Sequence, residues 1–209
     1  MDNNEYRTLL ERGIKAMGLS FDSPTIDKLL AYHALLVKWN QAYNLTAIRD
    51  PQEMIGRHLL DSLSIYPHLQ GERILDVGSG GGMPGIPMAI CYPERSFTLL
   101  DSNGKKTRFL TQCKISLGLQ NLTVVQSRIE AFKAEPFDGI TSRAFATLKD
   151  MVDGSIHLLA ENGLFQAMKG IYPESEIAEL DSRVTVVHCH PLTVPGESGE
   201  RHLVVMKKQ

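Results

Sequence analysis

The stretch LDVGSGGGMPGIP, residues 75–87, packs five glycines and two prolines into one short loop. It follows the apolar run RILDV (73–77) and leads into GIPMAICY (85–92). A strand entering a glycine loop that opens a helix leaves few architectures available. So few side chains mean that a ligand meets mainly backbone, and the helix N-terminus favours negative charge. Gly80, Gly82 and Gly85 satisfy G-x-G-x-x-G by the letter. That pattern also fits a dinucleotide site and is weak alone, and a plain tight strand-to-helix turn is the other reading.

The flanking pattern supplies the context. Tyr6, Leu9, Leu10, Ile14 and Met17 recur at helical spacing, with Gly18 as a stop. Ser23–Pro24 reads as an N-cap followed by proline at the first helical position. Ile26, Leu29, Leu30, His33, Leu36, Val37 and Asn40 then share one face. Asp50–Pro51–Gln52–Glu53 starts a third helix whose buried face is Ile55, Leu59, Ser62, Leu63 and Tyr66.

After Gly71 the period changes. RILDV (73–77), SFTLLD (96–101), LTVVQS (122–127), FDGITS (137–142) and GLFQAM (163–168) read as strands, separated by helical stretches such as 104–117 and 148–160. Such alternation predicts βαβ units and a mostly parallel sheet. VTVVHCHPL (184–192) and RHLVVMKK (201–208) have no helix between them and read as an antiparallel hairpin closing the sheet. The expected organisation is an N-terminal helical extension, 1–70, packed on one compact α/β unit, 71–209.

The net charge of −2 leaves no overall nucleic-acid footprint, so any such surface must come from local clusters. Candidates are Lys105 and Lys106 in GKKTR (104–108), Arg143, Lys149, Lys169, Arg201–His202 and Lys207–Lys208, each of which reads equally as a solvated surface charge. Cys91, Cys113 and Cys189 are scattered and odd in number, which points to a reducing, cytoplasmic home. No run approaches the ~20 apolar residues of a membrane span. The start MDNNEYRTLLERG lacks the pattern of a secretory leader. In HCH (188–190) the two histidines share a strand face and the cysteine points away, so no metal is expected.

Two acids narrow the ligand. Asp101 ends the second strand, where doubly wound folds hydrogen-bond a ribose diol; capping the next helix is the alternative. Asp76 sits within the first strand end, where a dinucleotide site carries an apolar residue. A carboxylate there suits a ligand with an amino or sulfonium cation. Asp76, the glycines and Asp101 together suit S-adenosylmethionine better than NAD, and residues 72–209 leave no room for a second mononucleotide half plus a substrate domain. An NAD-binding oxidoreductase and a non-catalytic nucleotide-binding module that docks on a ribosome stay open at this level.

NLTAI (44–48), RHLLDSL (57–63), ILDVGSGGGMPGIPMAI (74–90), LLDSNGKKTRFL (99–110), SRIE (127–130), SRAFA (142–146), MKG (168–170) and RHLVVMKK come in this order. The set resembles the bacterial ribosomal small-subunit methyltransferase G family over nearly the whole chain. The resemblance implies the class I S-adenosylmethionine-dependent methyltransferase fold: α/β, Rossmann-like, with a mostly parallel seven-stranded sheet, a C-terminal antiparallel hairpin and extra N-terminal helices. It implies methylation of N7 of one guanine in 16S rRNA, with S-adenosyl-L-methionine as donor. The partner would be the small ribosomal subunit or its assembly intermediate, and the chain would act as a monomer. Cofactor contacts carry over onto Gly78 and Met83, with Gly80 beside them, onto Ile129 and Glu130, and onto Arg143. Met83 stands where relatives often have Phe or Leu. Ile129 would stack on adenine while Glu130 receives its amino hydrogens. Asn44, His58, Asp61 and Ser62 match the family's motifs in the helical cap; lining the substrate mouth and making caps or buried contacts are both open for them.

The chemistry agrees with this resemblance. SRAFATL carries no N/D-P-P-Y/F motif for an exocyclic amine, and none of the cysteines follows a proline. Guanine N7 needs neither device, because its lone pair is present in the neutral base. Arg143 is the candidate for positioning the base, through O6, a phosphate or the cofactor rather than through N7, which must stay free. Lys105, Lys106, Arg143, Lys169 and Arg201 are the expected RNA contacts.

Overall fold

The computed structural model describes residues 3–143 and 147–209. Ala144, Phe145 and Ala146 of the SRAFA motif lie outside the described residues. Helix α1 (Asn3–Ala16) and helix α2 (Ser23–Tyr43) precede α3 (Pro51–Met54), which runs through a π-helical stretch, Ile55–Leu60, into α4 (Asp61–Leu63). Strand β1 (Arg73–Val77), α5 (Gly85–Cys91), β2 (Ser96–Asp101), α6 (Gly104–Leu117), β3 (Leu122–Gln126) and β4 (Phe137–Arg143) follow. Then come α7 (Leu148–Ser155), β5 (Leu159–Lys169), the short α8 (Glu174–Ala178), β6 (Val184–Pro191) and β7 (His202–Lys208).

The seven strands lie in the order β3-β2-β1-β4-β5-β7-β6, with β1 to β5 parallel and β7 inserted antiparallel between β5 and β6. This is the expected parallel sheet closed by a hairpin. The strand order reverses beside β1, so the loops after β1, β2 and β4 open onto the switch point where such sheets bind ligands.

Three local expectations need correction. The N-cap of α2 is Asp22, not Ser23: Asp22 is extended and its carboxylate accepts from the Thr25 N–H, while Ser23 is already helical. The helix expected over 148–160 stops at Ser155, and β5 begins at Leu159 rather than at 163. Phe137 pairs with Leu159 and Gly139 with Leu164, so β5 bulges over Glu161–Asn162–Gly163, residues that read as a turn. The third helix contains a π turn in which the Asp61 N–H reaches back to the Gly56 carbonyl, a widening invisible to 3.6-residue periodicity.

The core has two layers. On one sheet face Leu10, Ile14, Leu29 and Leu36 of the N-terminal helices join Ile74, Met88, Phe97, Leu99 and Phe109 in one apolar cluster. On the other, Leu75, Leu100, Ile140 and Phe165 pack under Met151 and Val152 of α7. The helical extension thus shares its core with the sheet. Tyr32 joins the two chemically: fully buried on α2, it donates its hydroxyl to the Gly81 carbonyl at 2.6 Å. Tyr32→Phe leaves that buried carbonyl short of a partner, so it is expected to cost about 1–2 kcal/mol of stability in a denaturant titration. Wild-type stability in that variant would show the bond to be dispensable.

Candidate functional site

The glycine loop is wired almost entirely to the protein. The Gly78 and Ser79 N–H groups both donate to the Leu100 carbonyl, at 2.8 and 3.1 Å. Gly82 and Met83 donate to the Ser79 carbonyl, and Ile86 to the Gly82 carbonyl. Gly80 donates to Asp101 Oδ2 at 2.9 Å, and Gly85 to Asp76 Oδ2 at 2.9 Å. The expectation that these N–H groups serve the ligand is therefore corrected: most are spent, and what the loop offers is space. Gly78, Gly80 and Gly82 have φ of 67°, 57° and 91°, left-handed values that a side chain resists. A Cβ on Gly80 would meet only the Gly78 carbonyl, at 3.9 Å, so the backbone there is open to an approaching ligand.

Asp76 lies beneath this loop and not on a cleft wall. It is 0% exposed, Oδ1 has no hydrogen-bond partner among the described residues, and burial pushes its carboxyl up to about 8. Its Oδ2 occupies the N-terminus of α5, the spot where a dinucleotide fold receives pyrophosphate. An anionic ligand group there would face a carboxyl group and N–H donors already in use.

Two clefts flank the loop. The first, of ≈ 300 Å³, is lined by Gly78, Leu100, Asp101, Ser102, Ser127, Arg128, Ile129 and Glu130. The structure thus brings together four sequence candidates: Gly78, Asp101, Ile129 and Glu130. Asp101 is buried, and its Oδ1 also accepts from the Asn103 N–H, while the α6 cap role falls to Asn103, whose side chain accepts from Lys105 and Lys106. Ser102, Ser127 and Arg128 were not singled out. Their signal was positional, since all three directly follow the carboxyl ends of β2 and β3.

The second cleft, of ≈ 350 Å³, is lined by Arg143, Lys169, Arg201 and His202, with Asp61, Met168, Gly170, Leu192, Gly199 and Glu200. Arg143, Lys169 and Arg201 meet here as the candidate basic groups. None is a loose surface cation: Lys169 pairs with Glu176 at 2.8 Å, Arg143 Nη1 with Asp61 Oδ2 at 3.1 Å, and Arg201 Nε with Asp61 Oδ1 at 2.7 Å. Arg143 Nη2 also lies 3.3 Å from the Met83 sulfur, joining cleft and loop. Lys105 and Lys106 line neither cleft and sit on the first turn of α6. Lys149 pairs with Asp153 on its own helix.

The four cap residues divide. Asp61 lines the second cleft, whereas Asn44 caps α2 in the left-handed region and accepts from Arg49. Ser62 is fully buried with no partner for its hydroxyl among the described residues. His58 is buried, with Nε2 2.8 Å from the Thr46 hydroxyl and Nδ1 3.0 Å from the Arg57 carbonyl and 3.3 Å from Arg143 Nη2. Burial, and then the neighbouring Arg143 charge, push this histidine down to about 4, so it is neutral at physiological pH.

The raised carboxyl of Asp76 carries a pH signature. The group's ordinary value is 3.8 and its folded value about 8, so the folded chain holds the proton more tightly. That contribution to stability is fully present below about pH 4 and is lost as pH rises through about 8. Asp76→Asn keeps an acceptor for Gly85 and removes the titration. Denaturant titrations are expected to show the variant gaining on wild type steadily from about pH 5 to pH 8; parallel curves would mean that Asp76 is ionised throughout.

Comparison with known proteins agrees with this geometry. A family model described as GidB, rRNA small subunit methyltransferase G, matches residues 25–204. The ribosomal RNA small subunit methyltransferase G of Pseudomonas paraeruginosa (strain DSM 24068 / PA7) is 57% identical over 201 residues, covering 95% of this chain and 94% of that one. Among solved structures, the mitomycin 7-O-methyltransferase MmcR has a TM-score of 0.62 at 12% identity, over 90% of this chain and 69% of that one. Coclaurine N-methyltransferase bound to N-methylheliamine and SAH has a TM-score of 0.55 at 15% identity, over 91% and 74%. These two likenesses carry the fold, that of a methyltransferase. With its sheet order, its glycine loop and this extent of sequence identity, the chain belongs to the rRNA small subunit methyltransferase G family.

Proposed function

We propose that this protein transfers a methyl group from S-adenosylmethionine to N7 of a guanine in 16S rRNA, with the small ribosomal subunit or its assembly intermediate as the partner and the chain acting as a monomer. The observation that carries the cofactor reading is the pairing of an open, side-chain-free loop with Asp101 across one cleft, above a helix N-terminus already filled by Asp76. A pyrophosphate finds no free donors there. An amino acid headed by a sulfonium brings positive charge beside a carboxyl group whose Oδ1 has no partner.

The residues fit the parts of that molecule. Each Asp101 oxygen accepts one N–H and keeps a second lone pair, enough for two ribose hydroxyls. Ile129 offers an apolar face for adenine, and the exposed Glu130 beside it accepts amino hydrogens. Gly78 lets the backbone approach closely at φ 67°. The cofactor supplies an electrophilic methyl; the chain supplies alignment, since an in-line displacement gains most of its rate from positioning.

The second cleft suits the RNA. Arg143 and Arg201 present forks that match phosphate or guanine O6, and Arg143 stands between this cleft and Met83 of the loop. Lys105 and Lys106, exposed and half-exposed on α6, extend the path for the backbone. Of the acceptors beside Arg143, Asp61 is engaged by two arginines and His58 has partners at both ring nitrogens. N7 calls for no such acceptor, since it is a nucleophile with no proton to lose.

Two measurements test the reading. Asp101→Ala is expected to weaken S-adenosylmethionine binding about ten- to a hundredfold by calorimetry, through loss of a charged ribose contact and of the Gly80 tether; unchanged affinity would sink the ribose assignment. Single-turnover transfer to unmodified small-subunit particles, with both substrates saturating, is expected to be nearly flat from about pH 6 to 8.5, because N7 has no proton to lose, His58 titrates near 4, and saturating cofactor absorbs the titration of Asp76 near 8. A tenfold rise of slope one, abolished by changing one side chain, would show general-base catalysis and rule out N7.

A further inference from the structure

The two arginines of the second cleft share one carboxylate. Arg143 comes from the end of β4, Arg201 from the loop before β7 and Asp61 from the helix after the π turn. Asp61 Oδ2 takes Arg143 Nη1 at 3.1 Å and Asp61 Oδ1 takes Arg201 Nε at 2.7 Å. The three side chains are only 12%, 22% and 18% exposed for Asp61, Arg143 and Arg201, so these are not the solvent-screened pairs of an open surface. Glu197 adds a second acid, 3.8 Å from Arg201 Nη2 and 4.0 Å from Arg57 Nε.

A phosphodiester presents the same chemistry as the Asp61 carboxylate: two oxygens sharing one negative charge, suited to guanidinium forks. We infer, resting on the rRNA reading above, that Asp61 is a specificity-determining residue that occupies the place of an RNA phosphate and denies Arg143 and Arg201 to RNA that does not fit the cleft. An arbitrary strand gains counterion release from two arginines only by breaking two partly buried ion pairs and leaving a half-desolvated carboxylate without partners. That exchange is close to balanced, so it yields little affinity. The cognate RNA offsets it with contacts of shape and base that an arbitrary strand lacks. Discrimination arises from a penalty on wrong partners rather than from extra attraction to the right one. The same carboxylate fixes the two guanidinium groups before RNA arrives, and Arg143 in turn lies against Met83 of the cofactor loop. Asp61 therefore acts as a positioning residue for transfer as well.

The two roles give effects of opposite sign. Asp61→Asn keeps the volume and one acceptor and removes the charge. Binding of the full chain to a short polyuridylate is measured across a salt series, beside single-turnover transfer to unmodified small-subunit particles. Polyuridylate is expected to bind about tenfold more tightly, with a salt slope steeper by about 0.7 for each arginine released, while saturated transfer slows about tenfold or more. A damaged fold would slow transfer without tightening RNA binding. Asp61→Glu restores the charge and is expected to return polyuridylate affinity to the wild-type value. Should Asp61→Asn not fold, Arg201→Gln carries the test. A held arginine contributes little to arbitrary RNA, so polyuridylate affinity is expected to stay within about twofold while affinity for the particle falls. The inference is overturned by an Asp61→Asn protein with unchanged polyuridylate affinity and slope, or by an Arg201→Gln protein that loses affinity for both RNAs alike. Failure of the wild-type chain to methylate the particles would instead overturn the rRNA reading and leave the polyuridylate comparison intact.

Discussion

The hydrogen bond from the Gly85 N–H to the buried Asp76 carboxyl group sets the terms for everything around it. It closes the loop from the end of β1 to the start of α5 across nine residues and leaves no room for a side chain at Gly85. A Cβ there would lie 2.5 Å from Asp76 Oδ2 and 2.7 Å from Leu99 Cδ1. With both ends of the loop pinned, Gly78, Gly80 and Gly82 turn left-handed between them, and the Gly80 N–H is delivered to Asp101 on the neighbouring strand. Tyr32 then fixes the middle of the loop from the helical extension through the Gly81 carbonyl. The Asp76 carboxyl group, the Asp101 carboxylate and the Tyr32 phenol hold a segment that has almost no side chains of its own.

That wiring explains how one strand–loop–helix pattern serves two classes of ligand. Where the helix N-terminus is free, its N–H groups attract phosphate. Here the protein's own acid fills the position, and the local charge is negative or neutral rather than positive. The ligand best matched to the site is correspondingly cationic at that end and a ribonucleoside at the other, where Asp101 and Ile129 line the cleft. The G-x-G-x-x-G letters do not record this difference, and Asp76 does.

Much of the fold was legible from residues alone. The bounds of β1, β2 and α6 follow from alternation and caps, and Asp101 stands out by its place at a strand end. Gly78, Ile129 and Glu130 came through the family resemblance, and they gather with Asp101 because loops after parallel strands converge on one edge. What stayed hidden depended on long-range packing. Tyr32 looks like one more core residue on α2, since no local rule sends its hydroxyl to a loop 49 positions away. The β5 bulge hides behind a turn-like Glu161–Asn162–Gly163. The pairing of Arg143 and Arg201 through Asp61 needs the π turn and the antiparallel register that sets Lys169 opposite His202. Ion pairs across 82 and 140 positions leave no periodic trace.

The contrast between the two clefts bears on how a chain of net charge −2 can act on a polyanion. In the cleft beside the glycine loop the backbone N–H groups are bonded internally, that of Gly80 to Asp101; they cannot rearrange without unfolding the loop, so this cleft offers a small ligand a fixed shape. In the second cleft, the one proposed for RNA, the cations are side chains with internal anionic partners, Glu176 for Lys169 and Asp61 for both arginines. Such a surface has little long-range field to draw in arbitrary RNA, and its charge becomes available only by exchange at contact distance. Fixed geometry on one side of Arg143 and exchangeable charge on the other is a division suited to methyl transfer, in which donor and acceptor must be held in line.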